Sequence, residues 1–377
     1  MTSRIDRIPA SLHFAFALCA LLIALACCPA FASPVSGTFK VGVAARAFIP
    51  SPPYNWRGAH THALLTTIWY PAAPSSVEKP QPVGPPNEPL FIGGNAAPHA
   101  KFAASPSRFP LVLLSHGTGG SALQLAWLGT YLASRGYIAA AVNHPGNNAL
   151  EPYTIQGFTL WWLRAHDLTT VLNHLLDDRT FGPRIDRARI GAAGFSLGGY
   201  TMIEIAGGVS NPQAVIDYCN SPRSHGTCNI HEFPDLLTKA EDLQKTDPEF
   251  AAAFAEGDKS YRDPRIRAVF AIAPALGPAF SPQSLAKISI PVEMVAGAAD
   301  PVAPPPDNAD YFARHIRDAK LVILPGGVAH YTFLDACAPA AYKTLATYCD
   351  DAPGVNRVRI HNRVAAMAAQ FFAAHLR

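Results

Sequence analysis

Charge is scarce in this 377-residue chain. Only 15% of residues are Asp, Glu, Lys or Arg, and 30 basic against 27 acidic side chains leave a formal net charge of +3. The basic residues are scattered, with no Lys/Arg run. The electrostatic footprint of a nucleic-acid binder or of an anionic-membrane binder is therefore missing. Zinc-type spacing is missing as well, since no Cys-x-x-Cys or His-x-x-x-His occurs. No internal repeat is present, which excludes a solenoid. The apolar run Phe14–Cys28 covers 15 residues, too short for a comfortable membrane span. What the chain does have is apolar bulk. At 49% hydrophobic residues it can bury a large core, and it lacks the composition of a disordered protein. Its length allows one large domain with an insertion or two smaller domains.

The apolar run follows Arg4 and Arg7 and leads into Ala30-Phe31-Ala32, a small-x-small cleavage pattern. This predicts a secretory signal peptide over residues 1–32. An uncleaved anchor, or a lipoprotein at Cys27, is the alternative. Cleavage would remove Arg4, Arg7 and Asp6 and leave a balance of +2, in an exported protein, periplasmic or secreted, with no stable membrane insertion. Beyond residue 32 stand Cys219, Cys228, Cys337 and Cys349. An even number in an exported chain reads as disulfides. Of three connectivities, Cys219–Cys228 and Cys337–Cys349 are the most economical, because sequence neighbours need no special fold to meet. Free thiols or a metal site are the competing reading.

Thr38–Phe48 and Leu64–Pro71 read as early strands, with no helix between them and so as an antiparallel edge pair. The segment 72–110 is crowded with Pro, Gly and Asn and reads as an irregular surface loop. After it, short continuous apolar runs at Phe109, Tyr137, Ala188, Arg265, Ile288 and Lys320 alternate with helical periodicity. That alternation predicts an α/β fold with a mostly parallel central sheet and helices on both faces. Residues 209–264 interrupt the alternation. They are polar, carry Cys219 and Cys228, and read as an inserted cap.

In such sheets reactive groups gather in loops at the carboxyl ends of strands. Gly194-Phe195-Ser196-Leu197-Gly198 is a G-x-S-x-G turn between a strand and a helix, a shape that exposes one hydroxyl. Alone, it also suits a helix cap with closely packed glycines. A serine hydroxyl needs a base to act as nucleophile. Among 14 histidines, only His330 directly follows the last predicted strand. Asp300, just past the preceding strand, would orient the imidazole. The order Ser196, Asp300, His330 is the order this architecture uses. Acyl transfer also needs donors for an oxyanion. The N–H of Leu197 is one, and the N–H of Thr118, in Ser115-His116-Gly117-Thr118-Gly119-Gly120, is assigned as the other. Phe195, Trp127, Trp161 and Trp162, together with the cap, would form an apolar acyl pocket, although core packing is the preferred account of at least half of these aromatic residues.

The stretches IWYPA, LLSHGTGG, VNHPGN, GFSLGG, GAADPVAP and GGVAHYTF together resemble the α/β-hydrolase superfamily, in the branch containing plasma platelet-activating-factor acetylhydrolase and bacterial proteins labelled predicted dienelactone hydrolases. The resemblance covers nearly all of the chain after residue 32. It implies Ser196 as nucleophile, Asp300 as acid, His330 as base, Thr118 and Leu197 at the oxyanion, and no metal or organic cofactor. The chain departs from the branch at three positions. Ser196 stands where true dienelactone hydrolases carry cysteine, Phe195 where the acetylhydrolases carry His, and Thr118 where Leu is common. The expected function is an exported serine carboxylic-ester hydrolase working through a covalent acyl-enzyme on short-chain acyl or small aromatic esters. A phospholipase or acetylhydrolase, a lipase, an amidase and a catalytically silent binding protein of the same fold are the alternatives.

Overall fold

The computed structural model describes residues 38–224, 226–228 and 230–377, so the signal-peptide reading of 1–32 lies outside the described residues. The short apolar runs become strands: β1 (Lys40–Phe48), β2 (Leu64–Ala72), β3 (Lys79–Val83), β4 (Phe91–Pro98), β5 (Phe109–Ser115), β6 (Ile138–Val142), β7 (Ile185–Phe195), β8 (Ile266–Ile272), β9 (Val292–Gly297), β10 (Ala319–Leu324) and β11 (Ala336–Cys337). They form one sheet in the order β10-β9-β8-β7-β5-β6-β2-β1-β4-β11, with β3 on β4. From β6 to β10 every pairing is parallel.

Period-two alternation divides the core between the two faces. Leu111, Leu113, Ile138, Ala140, Ile190 and Ala192 point into one cluster, which the helix Leu163–Asp177 covers with Leu168, Val171, Leu172 and Leu175. Val112, Leu114, Ala139, Ala141 and Ala193 point into the other, which the helices Ala126–Ser134 and Arg357–His375 cover. Strands β5, β6 and β9 are buried along their whole length. That explains why they read as continuous apolar runs and not as alternating ones.

The expected antiparallel pair forms, β1 against β2, from Lys40↔Ala72 to Phe48↔Leu64, but it is not an edge, because β2 also pairs with β6 and β1 with β4. The reading of 72–110 as an irregular loop needs correction, because β3 and β4 lie inside it and extend the sheet beyond β1. Their prolines fit an outer strand, where a missing N–H costs no central ladder bond. Gly93 and Gly94 let β4 approach the helix Ala126–Ser134: a Cβ on Gly93 would lie 2.4 Å from that of Ala126.

Residues 209–264 carry the helices Pro212–Cys219, Leu236–Thr246 and Pro248–Phe254. The break at Asp247-Pro248 separates the last two: the Asp247 carboxylate accepts from the N–H groups of Glu249 and Phe250, and Pro248 takes the first helical position. Both short-range disulfides are present, Cys219–Cys228 and Cys337–Cys349.

Candidate active site

Ser196 lies between β7 and the helix Leu197–Ala206 at φ 57°, ψ −117°. This is a strained conformation for a residue with a side chain, and it persists only where the surroundings over-determine it. They do so here. The Ser196 N–H donates to the Ile272 carbonyl at 2.9 Å, and its own carbonyl accepts from Tyr200 at 3.1 Å and Ala275 at 3.2 Å. The flanking glycines allow the close approach. A Cβ on Gly194 would sit 2.2 Å from the Gly198 carbonyl oxygen, and one on Gly198 would sit 1.9 Å from that of Ser115.

Ser196, His330 and Asp300 meet in sequence. His330 Nε2 lies 2.9 Å from Ser196 Oγ, and His330 Nδ1 lies 2.7 Å from Asp300 Oδ2. All three are buried. The other oxygen of Asp300 accepts from the N–H groups of Val302 and Ala303, at 2.9 and 2.8 Å. That fixes the carboxylate and leaves Oδ2 for the imidazole. The turn carrying His330 is pinned from below: Thr332 Oγ1 donates to Asp351 Oδ1 at 2.7 Å, and Arg357 pairs with the same carboxylate. The ring packs on Phe195, with centroids 4.8 Å apart.

The loop after β5 reaches the same point. Its N–H groups at Gly117 and Gly119 are taken, by Gln124 Oε1 and Asn147 Oδ1, each at 2.7 Å. Among the described residues, no loop or side-chain bond takes the N–H of Thr118 or of Leu197. Over Ser196 opens a cavity of about 530 Å³, walled on the body side by Gly117, Thr118, Phe158, Trp161, Phe195 and Tyr331 and on the other by residues of 215–238.

Two of the expected pocket aromatics line this cavity, Phe195 and Trp161. Trp127 and Trp162 do not. Trp127 stacks on His361 at 4.5 Å and donates its indole N–H to the Phe333 carbonyl. Trp162 is fully buried against Phe254 and donates to Ala253, which joins the 209–264 segment to the body. Both rings follow the packing reading because an indole N–H must find an acceptor when buried. Phe158, Tyr331 and Tyr348 take their places in the cavity wall. No residue spacing marked them, since they come from segments far apart in the chain.

Behind Ser196 a buried carboxyl stands outside this arrangement. Glu204, on the helix that begins at Leu197, has Oε1 2.6 Å from the Tyr200 hydroxyl, while its Oε2 has no partner among the described residues. Desolvation pushes its pKa up to about 7. The folded protein thus keeps a proton that the unfolded chain loses near pH 4.3. This contribution to stability falls as pH rises from about 4.3 to 7 and then levels off, at a cost of about 4 kcal/mol. Glu204→Gln, which stays neutral, is expected to melt well above the parent at pH 8 and close to it at pH 4.5. Equal differences at both pH values in thermal melts would contradict this account.

Residues 93–159 match the family described as platelet-activating factor acetylhydrolase, isoform II. That stretch includes most of β4, all of β5 and β6, and the Thr118 loop. No curated protein matches the chain. Among solved structures it is similar to a ferulic acid esterase from Streptomyces cinnamoneus, at 22% identity over 92% of each chain with a TM-score of 0.60. At that identity the likeness establishes architecture, and architecture alone does not establish chemistry. The chain has the α/β-hydrolase fold, and its residues 93–159 are similar to the platelet-activating factor acetylhydrolase, isoform II, family.

Proposed function

We propose that the protein is a serine carboxylic-ester hydrolase. The observation that carries this reading is the hydrogen-bonded series from Ser196 Oγ through His330 to Asp300 Oδ2, at the floor of a cavity where two N–H groups stand free. Ser196 Oγ attacks the ester carbonyl while His330 Nε2 accepts its proton. The N–H groups of Thr118 and Leu197 receive the oxyanion. His330 then returns the proton to the leaving alkoxide, and water releases the acyl group by the reverse sequence. Asp300 holds the Nδ1–H tautomer, so that Nε2 is the accepting nitrogen. The chain's own residues supply the whole reaction, and no step calls for a cofactor.

The substrate class is a small aromatic or short-chain acyl ester. A cavity of about 530 Å³ lined by Phe158, Trp161, Phe195, Tyr331 and Tyr348 suits a planar ring, and the fold is shared with an enzyme named for ferulic acid. Residues 209–264 act as a cap, since Leu236, Leu237 and Phe233 line the same cavity. Export belongs to this reading. Two disulfides suit an oxidising compartment, and among the described residues no helix is long and apolar enough to cross a membrane. The family match over residues 93–159 favours a second reading, hydrolysis of short acyl groups from phospholipids.

A panel separates the two. Methyl ferulate and nitrophenyl acetate, butyrate and octanoate are compared with a phospholipid bearing an sn-2 acetyl group. Highest kcat/KM on the ferulate or on acetate and butyrate supports the first reading, and preference for the phospholipid supports the second. Fluorophosphonate labelling at the peptide carrying Ser196 is expected in either case. A folded protein that takes no label is a binder, and the esterase assignment falls.

A further inference from the structure

A second Ser-His-Asp series lies wholly inside the protein. Ser115 Oγ is 2.9 Å from His144 Nε2, and His144 Nδ1 is 2.7 Å from Asp167 Oδ2. None of the three is more than marginally exposed, so no substrate reaches them. Arg57 grips both oxygens of Asp167, at 2.9 and 2.8 Å, and the Tyr54 hydroxyl donates to one of them. Arg57 is thereby the direct ion-pair partner of Asp167. His144 stays uncharged, its pKa lowered to about 3 by burial and by the charge of Arg164, and burial lowers His116 as well.

This leaves Arg164 in an unusual position. It lies one turn from Asp167 on the helix Leu163–Asp177, is 1% exposed, and forms no ion pair among the described residues. Its guanidinium donates to the His116 carbonyl and reaches Asn147 Oδ1 at 3.5 Å. His116 is two residues before Thr118, and Asn147 holds the Gly119 N–H. Tyr153 donates to the Gly119 carbonyl at 2.9 Å, and Gln124 holds the Gly117 N–H. The loop is thus tied at His116, Gly117 and Gly119, while among the described residues no bond takes the N–H of Thr118, which lines the cavity.

A buried cation that makes no direct ion pair is costly in the resting protein: burial lowers the Arg164 pKa to about 9, and the Asp167 carboxylate offsets this only in part. The same charge becomes favourable when negative charge develops nearby, which is the differential that accelerates a reaction. We propose that Arg164 is a positioning residue for the oxyanion loop: it holds the His116 carbonyl and sets a buried positive charge with no direct ion pair behind the Thr118 N–H. The proposal rests on the esterase reading for its effect on rate, and on the loop geometry alone for its effect on order.

The test uses Arg164→Gln, which keeps a donor and loses the charge, and Arg164→Lys, which keeps the charge. Arg164→Gln is expected to lower kcat on a nitrophenyl ester about 30- to 100-fold with KM little changed. Its affinity for an arylboronic acid, which forms a tetrahedral adduct on Ser196, should fall by a similar factor, and hydrogen exchange at Gly117 to Gly119 should quicken. Arg164→Lys should recover a substantial part of the rate. A glutamine variant with parental kcat and boronate affinity overturns the proposal. So does a lysine variant, the readout if the glutamine variant does not fold, that turns over no faster than about one-hundredth of the parent with loop exchange unchanged. If the parent itself hydrolyses no ester and takes no boronate, the esterase reading is what has failed. Unchanged exchange in Arg164→Gln would then overturn the positioning role separately.

Discussion

Ser196→Ala is expected to reduce kcat by about a million-fold, to the level that binding and the oxyanion donors sustain without a nucleophile. The side chain lost is one hydroxyl at the end of a strained turn. Everything else at the site remains: the imidazole still bonds Asp300, and Thr118 and Leu197, the proposed oxyanion donors, still line the cavity. Substrate affinity should therefore change little, and the loss should appear in kcat and not in KM. Stability should hold or rise slightly, because alanine keeps the same backbone strain while removing a buried polar group. The decisive measurement is steady-state hydrolysis of a nitrophenyl ester alongside a thermal melt. Activity within tenfold of the parent, at an unchanged melting temperature, would show that Ser196 is not the nucleophile.

Asp300→Asn is expected to cost about ten-thousand-fold in kcat, by a different route. The N–H groups of Val302 and Ala303 both donate to Oδ1. An asparagine there must keep its carbonyl oxygen toward them, so its NH2 group turns toward His330 Nδ1. That nitrogen then has to accept, the ring proton moves to Nε2, and Nε2 no longer takes the proton of Ser196. The two backbone donors thus decide the amide orientation and with it the tautomer. Fluorophosphonate labelling should slow in parallel, since it needs the same proton transfer. A variant that labels at the parental rate would remove Asp300 from the relay.

The sequence exposes the Ser196 turn because its requirements are local: glycines two residues either side, a strand before and a helix after. His330 and Asp300 are legible for a similar reason, each lying just past a strand end in a fixed order. The loop carrying Thr118 is legible as a glycine turn. What the spacing does not reveal is why that loop keeps its shape. His116 and His144 stand at the ends of the adjacent strands β5 and β6, which is a usable signal, but Arg57, Arg164 and Asp167 gather there from distant segments. The aromatic residues were the least legible. Trp127 and Trp162 have the same composition signal as Trp161, and only their neighbours separate packing from lining.

Local sequence was enough to set the order and type of the central elements, the sharp turn at Ser196 and the three strand-end loops, because backbone sterics and apolar periodicity act over a few residues. Only tertiary packing decided the outer strands within 72–110, the wall that residues 209–264 place over Ser196, and the buried Arg164 bonded to the His116 carbonyl. Those depend on which side chains meet across long stretches of chain, and that is set by sheet register and close packing rather than by any local pattern.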